Sequence, residues 1–437
     1  IQYPIGNTGT TYEIPAGVTE IGSSAFLSAA SLASITIPAS VISIGEYAFQ
    51  GTSDLTSITI PANVESIEDD AFKDSGLIQV TINVDRLIQD NFPDAIGQNK
   101  TIGGKSGVEI IGYKVFSGTG ELIGATSQLN GATIAIIEGY GRIGQNAFKD
   151  SDLTSITIPA SVKSIGLNAL FTMSGFTDIT VESSNANYTA IDDVLFNKDK
   201  TTLIIYPLRN ERITYEIPAS VLTIIQYTFT GATKLETVTF EEGSQIDSIG
   251  IQTFYRATSL TSVTIPSSVK SIGGYAFYGA SNLETVKFEP GSELKTIGEY
   301  AFAYASRLTS ITIPSNVTSI KEGAFDNAKK LETVTFEPDS LLKSIGSAAF
   351  KATYALKSIT IPAKVESITA YIPPSVGTES FYDSGLTSVT LYSYTITYLN
   401  KANPSPNIPT SSGGEMDTFF GASRKNTDRI TINVIES

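Results

Sequence analysis

The chain has 437 residues, more than one compact core usually organises, so several domains or an array of repeats is expected. Its formal charge of -15 speaks against nucleic-acid and anionic-membrane partners, because phosphate would be repelled. It contains no histidine and no cysteine, which removes Ser-His-Asp and Cys-His catalysis, histidine and thiolate metal sites, disulfides and iron–sulfur clusters.

Internal similarity organises the sequence from its first units, residues 1–76, onward. Leu55-Thr-Ser-Ile-Thr-Ile-Pro61 recurs as Leu153-Thr-Ser-Ile-Thr-Ile-Pro159 and Leu308-Thr-Ser-Ile-Thr-Ile-Pro314, each followed by Val, Ser-Ile and an Ala-Phe pair or a relative of it. Ile58 and Ile60 alternate with Ser57 and Thr59, the period of a strand with one buried face. Pro61 ends that strand because it cannot donate to a ladder. Gly45, Gly273 and Gly298 suit a tight turn with positive φ. Ala48-Phe49 places a small residue beside a ring that can fill the interior. One unit cannot enclose these side chains, so stacking of units into a solenoid with short parallel strands is predicted, mostly β and irregular with short helical turns.

Residues 77–143 break the pattern as an irregular insert or as degenerate repeats, with Phe116 marking an irregular unit. Lys100-Thr-Ile-Gly-Gly-Lys-Ser106 lacks the spacing of a phosphate loop and reads as a glycine turn. Regular units return over 144–182. Residues 183–213 read as a β-hairpin insert, because two apolar segments flank Asn197-Lys-Asp-Lys200. The main array spans 214–391, where Phe229, Phe254, Phe277, Phe302, Phe325 and Phe350 are separated alternately by 25 and 23 residues. The longer steps coincide with Phe240-Glu-Glu-Gly-Ser, Phe288-Glu-Pro-Gly-Ser and Phe336-Glu-Pro-Asp-Ser, so the extra residues enter at one turn. Residues 392–437 combine a linker-like stretch, Asn403-Pro-Ser-Pro-Asn-Ile-Pro and Ser411-Ser-Gly-Gly, with a degraded last unit around Phe419 and Ile430. No apolar run of about 18 residues occurs and the chain does not start with Met. The expectation is therefore a mature or excised piece, with any signal or anchor outside it.

The unit L-T-S-I-T-I-P-x-x-V-x-S-I-G-x-x-A-F resembles the BspA-like leucine-rich repeat family over most of the chain. The segment from Ile191 to Pro207, followed by Thr214-Tyr-Glu-Ile-Pro, resembles the hairpin insert of that family. The resemblance implies a secreted or surface-attached protein that adheres to host proteins, matrix or other cells, with no catalytic residues. Where the family often has Cys three residues after the Phe, this chain has Thr52, Ala232, Ala280, Ala305, Ala328 and Thr353, all small.

Two exposed arrays are candidate binding surfaces. Thr59, Thr157, Thr264, Thr312 and Thr360, with the serines two residues before each, would form a sheet of hydroxyls and methyls. Strand propensity and Thr–Thr pairing explain the same pattern structurally. Tyr47, Tyr227, Tyr275 and Tyr300 stand two residues before a Phe, with Tyr255, Tyr278 and Tyr304 nearby. Tyrosine is a favoured anchor, and packing over the coil edge is the alternative reading. The pairs Asp69-Asp70 and Asp192-Asp193 could suggest metal or acid/base work, but neighbours on a strand face opposite ways, so neither pair is expected to converge on one ion. The resulting expectation is a non-catalytic extracellular or cell-surface binding protein without cofactor or metal. Its partner would be a host, matrix or neighbouring-cell protein or glycan. The alternative is a structural subunit of a surface layer, sheath or filament that self-associates.

Overall fold

The computed structural model describes residues 9–83, 97–102, 105–129, 132–368, 380–392, 414–416 and 430–435. The chain divides into two compact units, Ile1–Asn187 and Tyr188–Ser437. Each is a parallel β-solenoid. The coil beginning at Leu308 shows how. Its strand Ser310–Ile313 buries Ile311 and Ile313 and exposes Ser310 and Thr312. Pro314 stops the strand, and its carbonyl accepts the Val317 N–H to close a turn. The short strand Ser319–Ile320 then starts a second side, which buries Val317 and Ile320.

The third side holds no strand or helix. The N–H groups of Gly323, Phe325 and Asn327 donate to Ser347, Ala349 and Lys351 of the next coil, at 2.8, 2.7 and 2.8 Å. Between them, Ala324, Asp326 and Ala328 donate back to Lys321, Gly323 and Phe325 within the coil. Alternate peptides thus satisfy intra-coil turns and an inter-coil ladder, so the buried backbone keeps its partners without a helix. Where short helical turns are expected, the described residues show one 3₁₀ turn, Ala125–Gln128.

In the first unit the main sheet runs in parallel from Ser57–Ile60 through Gln79–Asn83, Lys105–Ser117, Ile134–Glu138 and Ser155–Ile158 to Asp178–Val181. The strand Gly97–Ile102 adds an antiparallel partner to Lys105–Ser117, with Ile102 opposite Lys105. Gly103 and Gly104, the centre of the expected glycine turn, lie outside the described residues. In the second unit, Val194–Asn197 pairs antiparallel with both Tyr188–Ile191 and Thr202–Ile205, and the last pairs in parallel with Thr223–Ile224. A six-stranded parallel sheet then extends from Thr214–Ile217 to Thr333–Phe336. Ser358–Thr360, Ser388–Tyr392, Ile430–Ile435 and Gly414–Met416 form a separate four-stranded sheet. The linker-like residues 403–413 and Phe419 lie outside the described residues.

The core of the second unit is a column of phenylalanines, Phe229, Phe254, Phe277, Phe302, Phe325, Phe350 and Phe381, with ring centroids 4.9–5.4 Å apart and planes within 16°. Coil spacing near that of adjacent strands, about 4.8 Å, imposes this parallel stacking. Tyr206, carried by the hairpin, lies 5.0 Å from Phe229 and begins the column. Phe26, Phe49 and Phe72 stack in the same way in the first unit, whereas Phe116 meets Phe148 edge-on at 81°. Thr52 and Thr353, three residues after the Phe where the family often has cysteine, are buried and donate to the Phe49 and Phe350 carbonyls at 2.8 and 2.7 Å.

Two local expectations are corrected. Gly45, Gly273 and Gly298 are not in the positive-φ region. They are glycines because coils approach closely: a Cβ would lie 2.6 Å from Ser23 N, 2.7 Å from Gly250 C and 2.6 Å from Gly273 C respectively. The positive φ falls two residues after these glycines, on Tyr47 (61°), Tyr275 (58°) and Tyr300 (52°), and also on Tyr227 (69°), where Ile225 stands in the glycine's place. The aspartate pairs are in turns, not on strands. Asp70 binds Lys73 at 2.8 Å, while Asp192 and Asp193 do converge, on Arg212 at 3.4 and 3.8 Å.

Candidate binding surfaces

The left-handed conformation is unusual for a bulky residue, and the coil-to-coil ladder holds it in place. Tyr275 and Tyr300 donate their N–H groups to Glu299 and Glu322 at 2.7 and 2.8 Å. This backbone turn aims both rings outward at the same edge, where they stack 5.1 Å apart. The Tyr300 ring lies over Gly323, where a Cβ would come within 2.3 Å of it, and its hydroxyl donates to Glu322 at 2.8 Å. Burial, then the Glu322 carboxylate, pushes the Tyr300 phenol above its ordinary pKa.

A second row begins with Arg256 over the Tyr255 ring at 5.2 Å and continues through Tyr278 to Tyr304, at 5.2 Å in each step. Burial raises the Tyr278 pKa as well. Tyr275 and Tyr278 join the two rows at 5.6 Å. Five predicted tyrosines, Tyr255, Tyr275, Tyr278, Tyr300 and Tyr304, therefore make one cluster, with Tyr304 the most open at 41% exposure. Tyr255 stacks on Tyr278 and Tyr275 on Tyr300, with planes within 20°, whereas Tyr278 meets Tyr304 at 56° and Tyr275 at 50°. Tyr47 and Tyr227 lie outside it. Tyr47 is in the first unit, where the neighbouring Glu46 raises its pKa, and Gln252 takes the position after Tyr227 in the next coil. Arg256 and the buried Asp326, whose pKa burial raises, border the rows and follow no exposed pattern in the sequence.

The threonines all lie on the main strands, but they do not form one uniform sheet. Thr59, Thr157, Thr312 and Thr360 pair with Thr81, Thr180, Thr335 and Thr390, whereas Thr264 pairs with Lys287. Ile111 and Ile136 replace threonine next to Thr81 and Thr157. Thr157 is half-buried and the other four are exposed. Among the described residues, no group of three His, Cys, Asp or Glu side chains could hold a metal ion. No helix of the described residues is long and apolar enough to cross a membrane.

The chain matches the family model described as "BspA type Leucine rich repeat region (6 copies)" over residues 8–123, 100–216, 141–254, 211–294 and 247–372. It belongs to the BspA-type leucine-rich repeat family. Curated protein sequences give no match to this BspA-type chain. Among solved structures, it is similar to a leucine-rich repeat protein from Eubacterium ventriosum, with 25% identity, coverage of 81% of this chain and 86% of that one, and a TM-score of 0.48. It is also similar to a leucine rich cell surface protein from Faecalibacterium prausnitzii (24% identity, 75% and 88% coverage, TM-score 0.36). A third is the pneumococcal vaccine antigen PcpA (23% identity, 92% and 88% coverage, TM-score 0.43).

Proposed function

We propose that this BspA-type solenoid is a non-catalytic, adhesin-like binding region displayed outside the cell, which holds a host, matrix or neighbouring-cell protein or glycan. The observation that carries this reading is the tyrosine cluster. The phenylalanine column already fills the interior, so the aromatic area of Tyr255, Tyr275, Tyr278, Tyr300 and Tyr304 is in excess of what the core needs. Its rings are held rigid by stacking and by a backbone ladder, so little side-chain entropy is lost when a partner covers them. Family membership supports the surface location, and the charge of -15 favours neutral or basic partners over polyanions.

The test is interferometry of the protein against extracellular matrix proteins and cell-surface glycans. A partner is expected whose affinity falls about ten-fold or more in the double variant Tyr275→Ala/Tyr300→Ala, a loss typical of anchor residues. Circular dichroism would confirm that the solenoid persists. Unchanged affinity for every partner found would overturn the tyrosine reading.

A further inference from the structure

The 23- and 25-residue coils associate as doublets. Within a doublet the main strands pair fully: Ser310, Ile311, Thr312 and Ile313 stand opposite Thr333, Val334, Thr335 and Phe336. Between doublets the pairing shrinks along the array. It covers Thr237–Ser262 and Val238–Val263 at one junction and only Thr285–Ser310 at the next. Between Thr333–Phe336 and Ser358–Thr360 the two strands belong to separate sheets. Each longer coil also clamps its predecessor. The carboxylates of Glu241, Glu289 and Glu337 accept the N–H groups of Ala219, Ser267 and Ser315 at 2.7, 2.9 and 2.8 Å. Ser388 and Thr390 pair with Ser358 and Thr360 as Thr333 and Thr335 pair with Ser310 and Thr312. By that register, Tyr392 occupies the place of the clamping glutamate in the next coil pair.

A cleft of about 530 Å³ opens where the ladder is split, between Thr333–Phe336 and Ser358–Thr360, and Tyr392 of the following coil contributes to its lining. Its lining includes Thr335 and Thr360, Asp339, Lys364 and the half-buried Tyr392. That volume is within the range of small-molecule sites, roughly 300–1,000 Å³. The lining mixes acceptors, donors and groups that do both around one aromatic ring. A phosphate or sulfate would meet Glu332, Glu337 and Asp339 against a single ammonium, Lys364, and would be repelled. A purely apolar ligand would leave the hydroxyls and carboxylate dehydrated. A pyranose matches both sets. Its hydroxyls each donate and accept, and its CH face suits a phenol ring.

We infer that this cleft binds a hexose residue of a neutral glycan, with Tyr392 as the ring that contacts the sugar and Asp339 as the charged acceptor. The inference rests on the reading of the chain as a binding region, and it places the glycan on a surface separate from the tyrosine cluster.

Calorimetric titration with neutral tetrasaccharides of glucose, galactose, mannose and N-acetylglucosamine tests it. At least one is expected to bind, with affinity reduced about ten-fold or more by Tyr392→Ala and changed less than about three-fold by Tyr392→Phe. Asp339→Asn, at an exposed position whose φ of 59° asparagine tolerates, is expected to weaken binding several-fold without unfolding the coil. The Tyr275→Ala/Tyr300→Ala variant should bind the sugar normally. Three results would overturn the inference: no tetrasaccharide binds, binding survives both Tyr392→Ala and Asp339→Asn, or an arginine-rich octapeptide binds in a Tyr392-dependent way while the sugars do not. Any of these leaves the tyrosine cluster standing if its own partner still depends on Tyr275 and Tyr300.

Discussion

Phe302→Ala probes the element that holds the second unit together. Phe302 is fully buried between Phe277 at 5.1 Å and Phe325 at 5.4 Å, nearly parallel to both. Truncating a core phenylalanine costs about 3–5 kcal/mol, of which two lost ring contacts account for roughly 1–3 kcal/mol. Relaxation is limited here. The backbones above and below are fixed by the bonds from Phe277 to Ala301 and from Phe302 to Ala324, both 2.7 Å, so the neighbouring rings cannot close the gap. The cost is therefore expected at the upper end, about 4–5 kcal/mol. In a solenoid each coil contacts only its neighbours, so the loss should also be local. Urea unfolding followed by circular dichroism gives the total. Hydrogen exchange read by mass spectrometry gives its distribution, with protection falling in the coils around Phe277 and Phe325 and retained around Phe26 and Phe49. A loss below about 2 kcal/mol, or protection lost equally in both units, would refute the column as the main source of cohesion.

Gly298→Ala places a methyl 2.6 Å from the Gly273 carbonyl carbon, with only backbone to yield, and should cost more than about 2 kcal/mol in thermal or urea unfolding. Gly291→Ala, at φ 77° but facing open space, should cost about 1 kcal/mol in the same measurement. Glu289→Ala removes the clamp on Ser267 N at an exposed turn and should cost about 1 kcal/mol, with Glu289→Gln recovering part of it. Burial raises the Tyr206 pKa from 10 to about 12. Between those values the unfolded chain loses the phenolic proton and the folded one keeps it, so stability present below pH 10 is lost as pH rises through about 12, by roughly 2–3 kcal/mol. Tyr206→Phe should remove that part of the alkaline slope, measured as unfolding free energy against pH, although it also loses the hydrogen bond to Asn210.

The fold was legible because its determinants repeat. Phe at one position and Ile, Val and Leu at others have to coincide from coil to coil, and a period in sequence reports that directly. The backbone conformation was less legible. A glycine can mark either positive φ or close approach, and only the neighbouring coil shows that Gly273 is there for the second reason. The tyrosines were visible as a stripe, but their joining into two rows depends on the turn that holds Tyr275 and Tyr300 in the left-handed region. Tyr227 and Tyr275 hold the same place in the stripe, and what separates them is the residue in the next coil, Gln252 in one case and Tyr300 in the other.

Departures from the repeat carry a different kind of information from the repeat itself. A position that recurs, such as Glu241, Glu289 and Glu337, is held by what it does for the preceding coil. The strand pairing between doublets declines toward Thr333–Phe336 and is absent between that strand and Ser358–Thr360, whereas the strand that ends in Tyr392 pairs with Ser358–Thr360 at three positions. The missing ladder and the exchanged glutamate position thus lie on either side of the strand Ser358–Thr360, and the cleft beside it brings an aromatic ring near hydroxyls, a carboxylate and an ammonium. A signal for this site was present in the sequence: Ser388-Val-Thr-Leu-Tyr392 aligns with Thr333-Val-Thr-Phe-Glu337. Reading it requires the register first, because the exchange has meaning only once the glutamate's role in holding two coils is known.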